Sequence, residues 1–198
     1  QGTTLYLCLE DSFARIQSRL FDLTDDAPPD IHFATMAESI GYGIEEQIEN
    51  FCSNHPNTKL IVIDTFQKIR TISNDNAYAS DYRDISFLKS IADKLKIAIV
   101  LIHHLRKQKD DDPMNRVSGT TGITGGADSN FVLDRPKREG TRAKFFCTGR
   151  DIEDRSMELN FDRKSKIWDV IADSYETPEI LLEDITATVV KFLKDEKC

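Results

Sequence analysis

Three apolar runs in this sequence end on side chains that can do chemistry. Thr4-Leu5-Tyr6-Leu7-Cys8-Leu9 stops at Glu10-Asp11, Leu60-Ile61-Val62-Ile63 stops at Asp64-Thr65, and Ala98-Ile99-Val100-Leu101-Ile102 stops at His103-His104. A carboxylate at the end of an apolar strand can hold a hard cation such as Mg2+, directly or through water. A second carboxylate nearby can orient and deprotonate an attacking water. The adjacent histidines would point to opposite faces of a strand, so the pair is a poor cage for one metal ion. Acidic and imidazole groups are also ordinary loop residues. Three such ends nevertheless converge if the strands lie parallel in one sheet, because ligands of open parallel sheets bind at the carboxyl ends of the strands.

The elements needed to align these ends are legible in the pattern. Continuous rather than alternating apolar runs suit strands buried on both faces. After the first, Phe13, Ile16 and Leu20 recur at helical spacing behind a capping Asp11 or Ser12, up to the breaker-rich TDDAPPD. A second amphipathic helix is expected over Ile40 to Phe51, and a third over Asp84 to Lys94, where Ile85, Leu88, Ile91 and Ala92 form one stripe. Strand, helix and strand from Leu60 to Ile102 make a βαβ unit, which requires a crossover and parallel pairing. Beyond His104 come a polar stretch (RKQKDDDPMNRVSG), a small-residue segment (TTGITGGAD) and four short strand candidates: Phe131 to Leu133, Ala143 to Thr148, Met157 to Phe161 and Ile167 to Val170. Separated by turn residues, they are expected as antiparallel extensions of the sheet edge. The expected fold is α/β, a mostly parallel sheet with antiparallel edge strands over residues 1–176. A helix follows over 177–198, which could pack on the body or lead into a further domain.

Composition limits the function classes. The chain has 198 residues, 39% of them hydrophobic, with 26 Lys and Arg against 34 Asp and Glu, a formal charge of −8. That is one globular domain with enough core to need no disulfide or metal staple. Its four cysteines form no C-x-x-C pair, and Cys8 and Cys147 sit in apolar runs as buried thiols. No apolar run approaches the roughly 20 residues of a membrane span, and the N-terminus has no signal-peptide pattern, so a cytoplasmic protein without membrane partners is expected. The acidic balance argues against a coat of nucleic acid. It leaves room for local basic strips such as residues 135–150 (RPKREGTRAKFFCTGR).

LIVIDT at 60–65 has the form of a Walker B element, whose carboxylate serves Mg2+ beside a nucleoside triphosphate. Hydrolysis needs a second carboxylate at a neighbouring strand end, and Glu10 in LCLEDS is in that kind of place. In this order along the chain the motifs resemble the RecA-like P-loop NTPase core of hexameric replicative helicases, the DnaB and RepA type, and within it the AAA family ATPases of mobile elements and phages. The resemblance implies ATP and Mg2+ as cofactors. It makes Glu10 the catalytic base, Asp64 with Thr65 the Mg2+ and nucleotide side of the site, and His104 a sensor of the γ-phosphate. It also implies single-stranded DNA as a partner. NRVSGTTGITGGADSNFVLDR is similar to the helicase segment built around R-x-S-G, which places Arg116, Val117 and Gly119 at the DNA, with Arg106, Lys107 and Lys109 as basic neighbours. A solvated surface loop remains the alternative for that segment.

FFCTGRDIEDRSMELNF is similar to the helicase strand carrying K-x-R, whose Arg reaches the neighbouring subunit's nucleotide. Arg150 falls on that finger position, and Thr148 stands where the Lys would be. A finger acting across an interface implies a homo-oligomer, in this family a hexameric ring. The other departure is larger. A P-loop is G-x-x-x-x-G-K-[S/T], and none of the nine glycines is followed by Lys. In the RecA-like order the P-loop would precede Gln1, so the chain reads as a core truncated before its second strand. A fragment of a longer ATPase and a naturally shortened protein both fit, and a start at Gln favours the fragment. The expected function is part of an ATP-dependent, DNA-translocating or replication- and recombination-associated ATPase. The alternatives are a non-catalytic DNA-binding or assembly module with the same fold, or a RecA-like recombination mediator.

Overall fold

The structure, a computed structural model, describes residues 2–71, 76–108, 110, 112–136, 139–176 and 186. The chain divides into two compact units, residues 1–127 and 128–198. The expected C-terminal helix, apart from Thr186, and Lys109 of the basic loop lie outside the described residues.

The first unit is a parallel sheet with crossover helices. Its strands are β1 (Thr3–Cys8), β2 (Ile31–Ala34), β3 (Thr58–Asp64) and β4 (Ala98–Ile102), in the order β2-β1-β3-β4. The helices are α1 (Phe13–Leu23), α2 (Ile44–Asn54), α3 (Ala77–Leu95) and the short α4 (Thr121–Gly126). The step from β1 to β2 runs one way along the sheet, and the steps to β3 and β4 run the other way. Right-handed crossovers therefore place α1 on one face and both α2 and α3 on the opposite face. The core is on the α2 and α3 side: Leu5 and Leu7 of β1 and Ile61 and Ile63 of β3 meet Ile44 and Ile48 of α2 and Ile85, Leu88 and Ile91 of α3.

Two expectations change here. Strand β2 was not expected, because IHFA is short and carries His32 in its middle. Strand β4 was expected to be buried on both faces, yet Val100 and Ile102 remain 42% and 40% exposed. Ile99 and Leu101 pack toward the core, and β4 is the last strand in its sheet. Helix α2 begins at Ile44 rather than Ile40 because Gly43 caps it at φ +118, a left-handed conformation open to glycine.

The second unit carries β5 (Ser129–Asp134), β6 (Arg142–Gly149), β7 (Arg155–Asp162) and β8 (Ile167–Asp173). The four strands fall where turn residues and short apolar runs place them. They pair antiparallel in chain order as a sheet of their own, where extensions of the first sheet's edge were expected. Cys8 and Cys147 are buried free thiols, as expected from their apolar runs.

Candidate functional site

Strand register brings the three polar ends level. Cys8 pairs with Asp64, and Asp64 with Ile102, so Glu10, Asp64 and His104 leave neighbouring strands at one edge of the sheet. The Leu9 amide donates to the Asp64 carbonyl at 2.7 Å, which keeps the chain on β3 for one residue past β1 and delivers Glu10 beside it. The Thr65 hydroxyl then donates to Glu10 Oε1 at 3.2 Å. His104 Nε2 stands 3.9 Å from Glu10 Oε2. The Tyr6 hydroxyl donates to Asp64 Oδ2 at 2.9 Å, and the Asp64–Thr65 peptide is cis. Glu10, Asp64, Thr65 and His104, all singled out in the sequence, thus come together.

The two histidines divide their work as alternation along a strand requires. While His104 faces Glu10, His103 Nε2 lies 2.8 Å from the Ser118 carbonyl. That carbonyl can only accept, so Nε2 carries the proton.

A cleft of about 220 Å³ opens at this edge, lined by Cys8, Glu10, Asp11, Arg15, Arg19 and Asp64. Arg15 and Arg19 come from the first two turns of α1, whose N-terminus Ser12 caps by accepting from the Arg15 amide. Arg15 pairs with Asp11 at 3.1 Å, and Arg19 pairs with the same carboxylate. These guanidiniums escaped the sequence reading. The four-residue spacing from Asp11 to Arg15 to Arg19 is their signal, and it is hidden among the apolar positions that define the helix. Burial, and then the bond to Asp64, push the Tyr6 phenol above its ordinary range. Burial, followed by the Asp64 and Asp11 carboxylates, pushes the Cys8 thiol up to about 11, against the pull of Arg19. Both groups are neutral near pH 7, so Cys8 is no nucleophile there. The oxygen donors lining the cleft are the carboxylates of Glu10, Asp11 and Asp64, with the buried Thr65 hydroxyl bonded to Glu10. Such a set fits a hard cation like Mg2+, which keeps several waters and takes one or two carboxylates plus phosphate oxygens.

The basic loop is anchored at both ends. The Arg106 amide donates to the Arg116 carbonyl at 2.6 Å and the Ser118 amide to the His104 carbonyl at 3.0 Å, around an antiparallel bridge between Leu105 and Val117. Between these anchors Pro113–Arg116 form a 3-10 turn. Lys107 is exposed, Arg116 is half-buried, and the Arg106 guanidinium turns back to donate to the Gly119 carbonyl. Val117 packs against the core, and Gly119 holds φ +98, where a Cβ would lie 2.6 Å from Ile123 Cδ1. Asp110 and Asp112 are spent on their own turn, accepting from the Asp112 and Met114 amides at 3.0 and 2.9 Å and, through Asp110, from Asn115 Nδ2 at 3.2 Å.

Behind this loop lies a buried ionic cluster that sequence spacing did not reveal. Arg70, at the end of the 3-10 turn Phe66–Ile69, pairs with Asp81 at 2.7 Å and with Asp84 at 2.8 Å. The Thr120 amide and hydroxyl donate to Asp81 Oδ2 at 2.7 and 2.8 Å. Burial alone would raise the Asp81 carboxyl, but the Thr120 bonds and the Arg70 guanidinium outweigh it and hold the group below its ordinary range.

In the second unit, Arg150 follows the last residue of β6, its side chain 3.5 Å from Asp128 and its amide 2.9 Å from the Asp128 carbonyl.

The first unit is thus a parallel α/β sheet whose strand ends bring two carboxylates and an imidazole together. A solved structure described as an ATPase domain is similar, with a TM-score of 0.69 at 15% identity over 84% of this chain and 74% of that one. The RadB recombinase is similar at a TM-score of 0.51 and 15% identity, over 83% of this chain and 77% of that one. At such identities the likeness is one of fold. A family profile described as AAA domain matches residues 1–110, and this chain belongs to that family. No curated protein matches the sequence.

Proposed function

We propose that this chain carries the magnesium and water-activating side of an ATP site, coupled to a single-stranded DNA-binding loop, in a RecA-like ATPase of helicase or recombination type. The observation that carries the reading is the convergence of Glu10 with Thr65 and His104 beside Asp64 at the level strand ends. In this account Asp64, with Thr65 near it, would hold Mg2+, which when bound would supply charge neutralisation at the phosphates. Glu10 orients an attacking water and takes its proton. His104 contacts the γ-phosphate. Arg15 and Arg19 supply positive charge to the cleft, exchanging Asp11 for phosphate oxygens.

The same reading assigns the basic loop with Arg106, Lys107, Lys109, Arg116, Val117 and Gly119 to the DNA backbone, and Arg150 to a neighbouring copy's nucleotide in a ring, of six subunits if the helicase likeness holds. Residues 1–176 form the ATPase core of this account, in a protein of mobile-element type. The exposed outer face of β4, with Val100 and Ile102, suits a further strand and helix. A non-catalytic DNA-binding or assembly role, or a recombination mediator, is the competing account.

Glu10→Gln separates the catalytic reading from the non-catalytic module. In a form extended upstream through a G-x-x-x-x-G-K-[S/T] segment, ATP affinity should be retained while turnover falls by about 10² or more. Unchanged turnover would remove Glu10 as the base.

A further inference from the structure

Helix α3 presents two tyrosines one turn apart, Tyr78 and Tyr82, that are 51% and 46% exposed. Their rings are parallel to within 10°, with centroids 6.4 Å apart. Buried tyrosines commonly hide the ring and wet the hydroxyl. Here the two side chains are half-exposed and stand side by side, the Tyr82 ring reaching Gly126 of α4.

Their surroundings tie them to the basic loop. Asp81, between them on the helix, is the residue that accepts from Thr120, and its carboxylate lies 3.1 Å from where a Cβ on Gly119 would sit. A Cβ on Gly122 would lie 2.8 Å from the Tyr78 carbonyl oxygen and 3.1 Å from the Tyr82 amide nitrogen. Helix α4 therefore lies directly on the turn of α3 that carries the rings. The segment entering α4 is the one that brings Arg116 and, through the Leu105–Val117 bridge, Arg106 and Lys107. The basic segment and the turn of α3 bearing the tyrosines thus share one backbone anchor at α4, with Asp110, Asp112 and the Arg106 guanidinium each bonded within the segment. A ligand that repeats an anion and a flat π-face along its length matches both halves of this surface, and single-stranded nucleic acid is that ligand.

We propose that Tyr78 and Tyr82 are a base-stacking platform that works with the basic loop to bind single-stranded nucleic acid. The inference rests on the DNA-binding reading above and adds to it the residues that take the bases rather than the phosphates.

Fluorescence anisotropy at low salt, on the full chain, tests it with two labelled probes of equal length: an oligothymidylate and an abasic deoxyribose-phosphate oligomer. The wild type should bind the oligothymidylate more tightly. Tyr78→Ala and Tyr82→Ala should each weaken that binding by about 5- to 100-fold, with the abasic oligomer unaffected and Tyr→Phe at either position nearly silent. Lys107→Ala should weaken both probes alike and lower the salt slope by about one. Equal wild-type affinity for the two probes, or alanine variants that lose both equally, would overturn the platform and leave backbone binding standing. Binding of neither probe would overturn the DNA reading itself. Alanine variants that change oligomeric mass with no change in oligonucleotide affinity would mark the tyrosines as a protein contact and overturn the platform.

Discussion

Glu10 and Asp64 are carboxylates held in different ways. Asp64 is tied to Tyr6 on its own sheet, whereas Glu10 is steadied only by a hydroxyl and faces an imidazole. In the proposed account the firmly held Asp64 would serve the cation and the less constrained Glu10 would act as the base. His103, on the other side of the strand from His104, has a structural part with a pH signature. Burial holds its imidazole below the ordinary range, against the pull of the Ser118 carbonyl. The folded chain therefore takes up a proton there less readily than the unfolded chain. Its stabilising contribution is present above about pH 6.5 and is lost as the pH falls below that value. Asp81 acts in the same direction lower down: its depressed folded value makes its contribution present above about pH 3.9 and lost below. Melting temperature should fall between pH 7 and pH 5, and His103→Asn should flatten that fall. An unchanged slope in the variant would show that His103 does not carry it. These strand-end residues were legible in the sequence because apolar runs stop abruptly at them. Arg15 and Arg19 were not, since a surface arginine carries no mark of what its helix faces.

At the scale of elements, Arg70 joins the turn after β3 to α3, and through Asp81 it fixes the start of α4. Its guanidinium also lies 5.2 Å from the Phe66 ring centre, and Phe66 meets His103 edge-on at 5.7 Å. The turn carrying Asp64 and Thr65 and the segment entering α4 therefore share fixed supports. Arg70→Ala would leave two buried carboxylates without their cation, and its cost should be about 3–5 kcal/mol, read as a lower urea midpoint. The combined change Arg70→Met, Asp81→Asn and Asp84→Asn should lose less, because it removes the charges together. Equal losses would mean that unpaired charge is not the cause. None of this was legible in the sequence, since Arg70 lies before α3, where no periodic pattern links it to Asp81 and Asp84 on that helix. The strands themselves were legible, four antiparallel ones included. Their grouping was not, because alternation and turn residues mark a strand without naming its partner. The later start of α2 and the unexpected β2 have local origins too, a glycine in a left-handed conformation and a four-residue strand with His32 inside it.

For the whole molecule, a charge of −8 means that any nucleic acid must bind by a local surface rather than a general field. The basic loop and the tyrosines of α3 lie in the first unit, the unit that also carries the strand-end cleft, and Arg150 lies in the second. Nucleotide and DNA would then act on one compact body, leaving the arginine as a contribution to a neighbouring copy. The central claim, that the strand-end cleft takes Mg2+ and a nucleotide, is tested most directly by calorimetric titration with ATP in the presence and absence of Mg2+. The titration compares this chain with a form extended upstream through a G-x-x-x-x-G-K-[S/T] segment, with and without Asp64→Asn. The account predicts that the extended form binds with Mg2+ and that Asp64→Asn removes the dependence on Mg2+. Binding that is indifferent to Mg2+ and to Asp64, or no binding by either form, would contradict it.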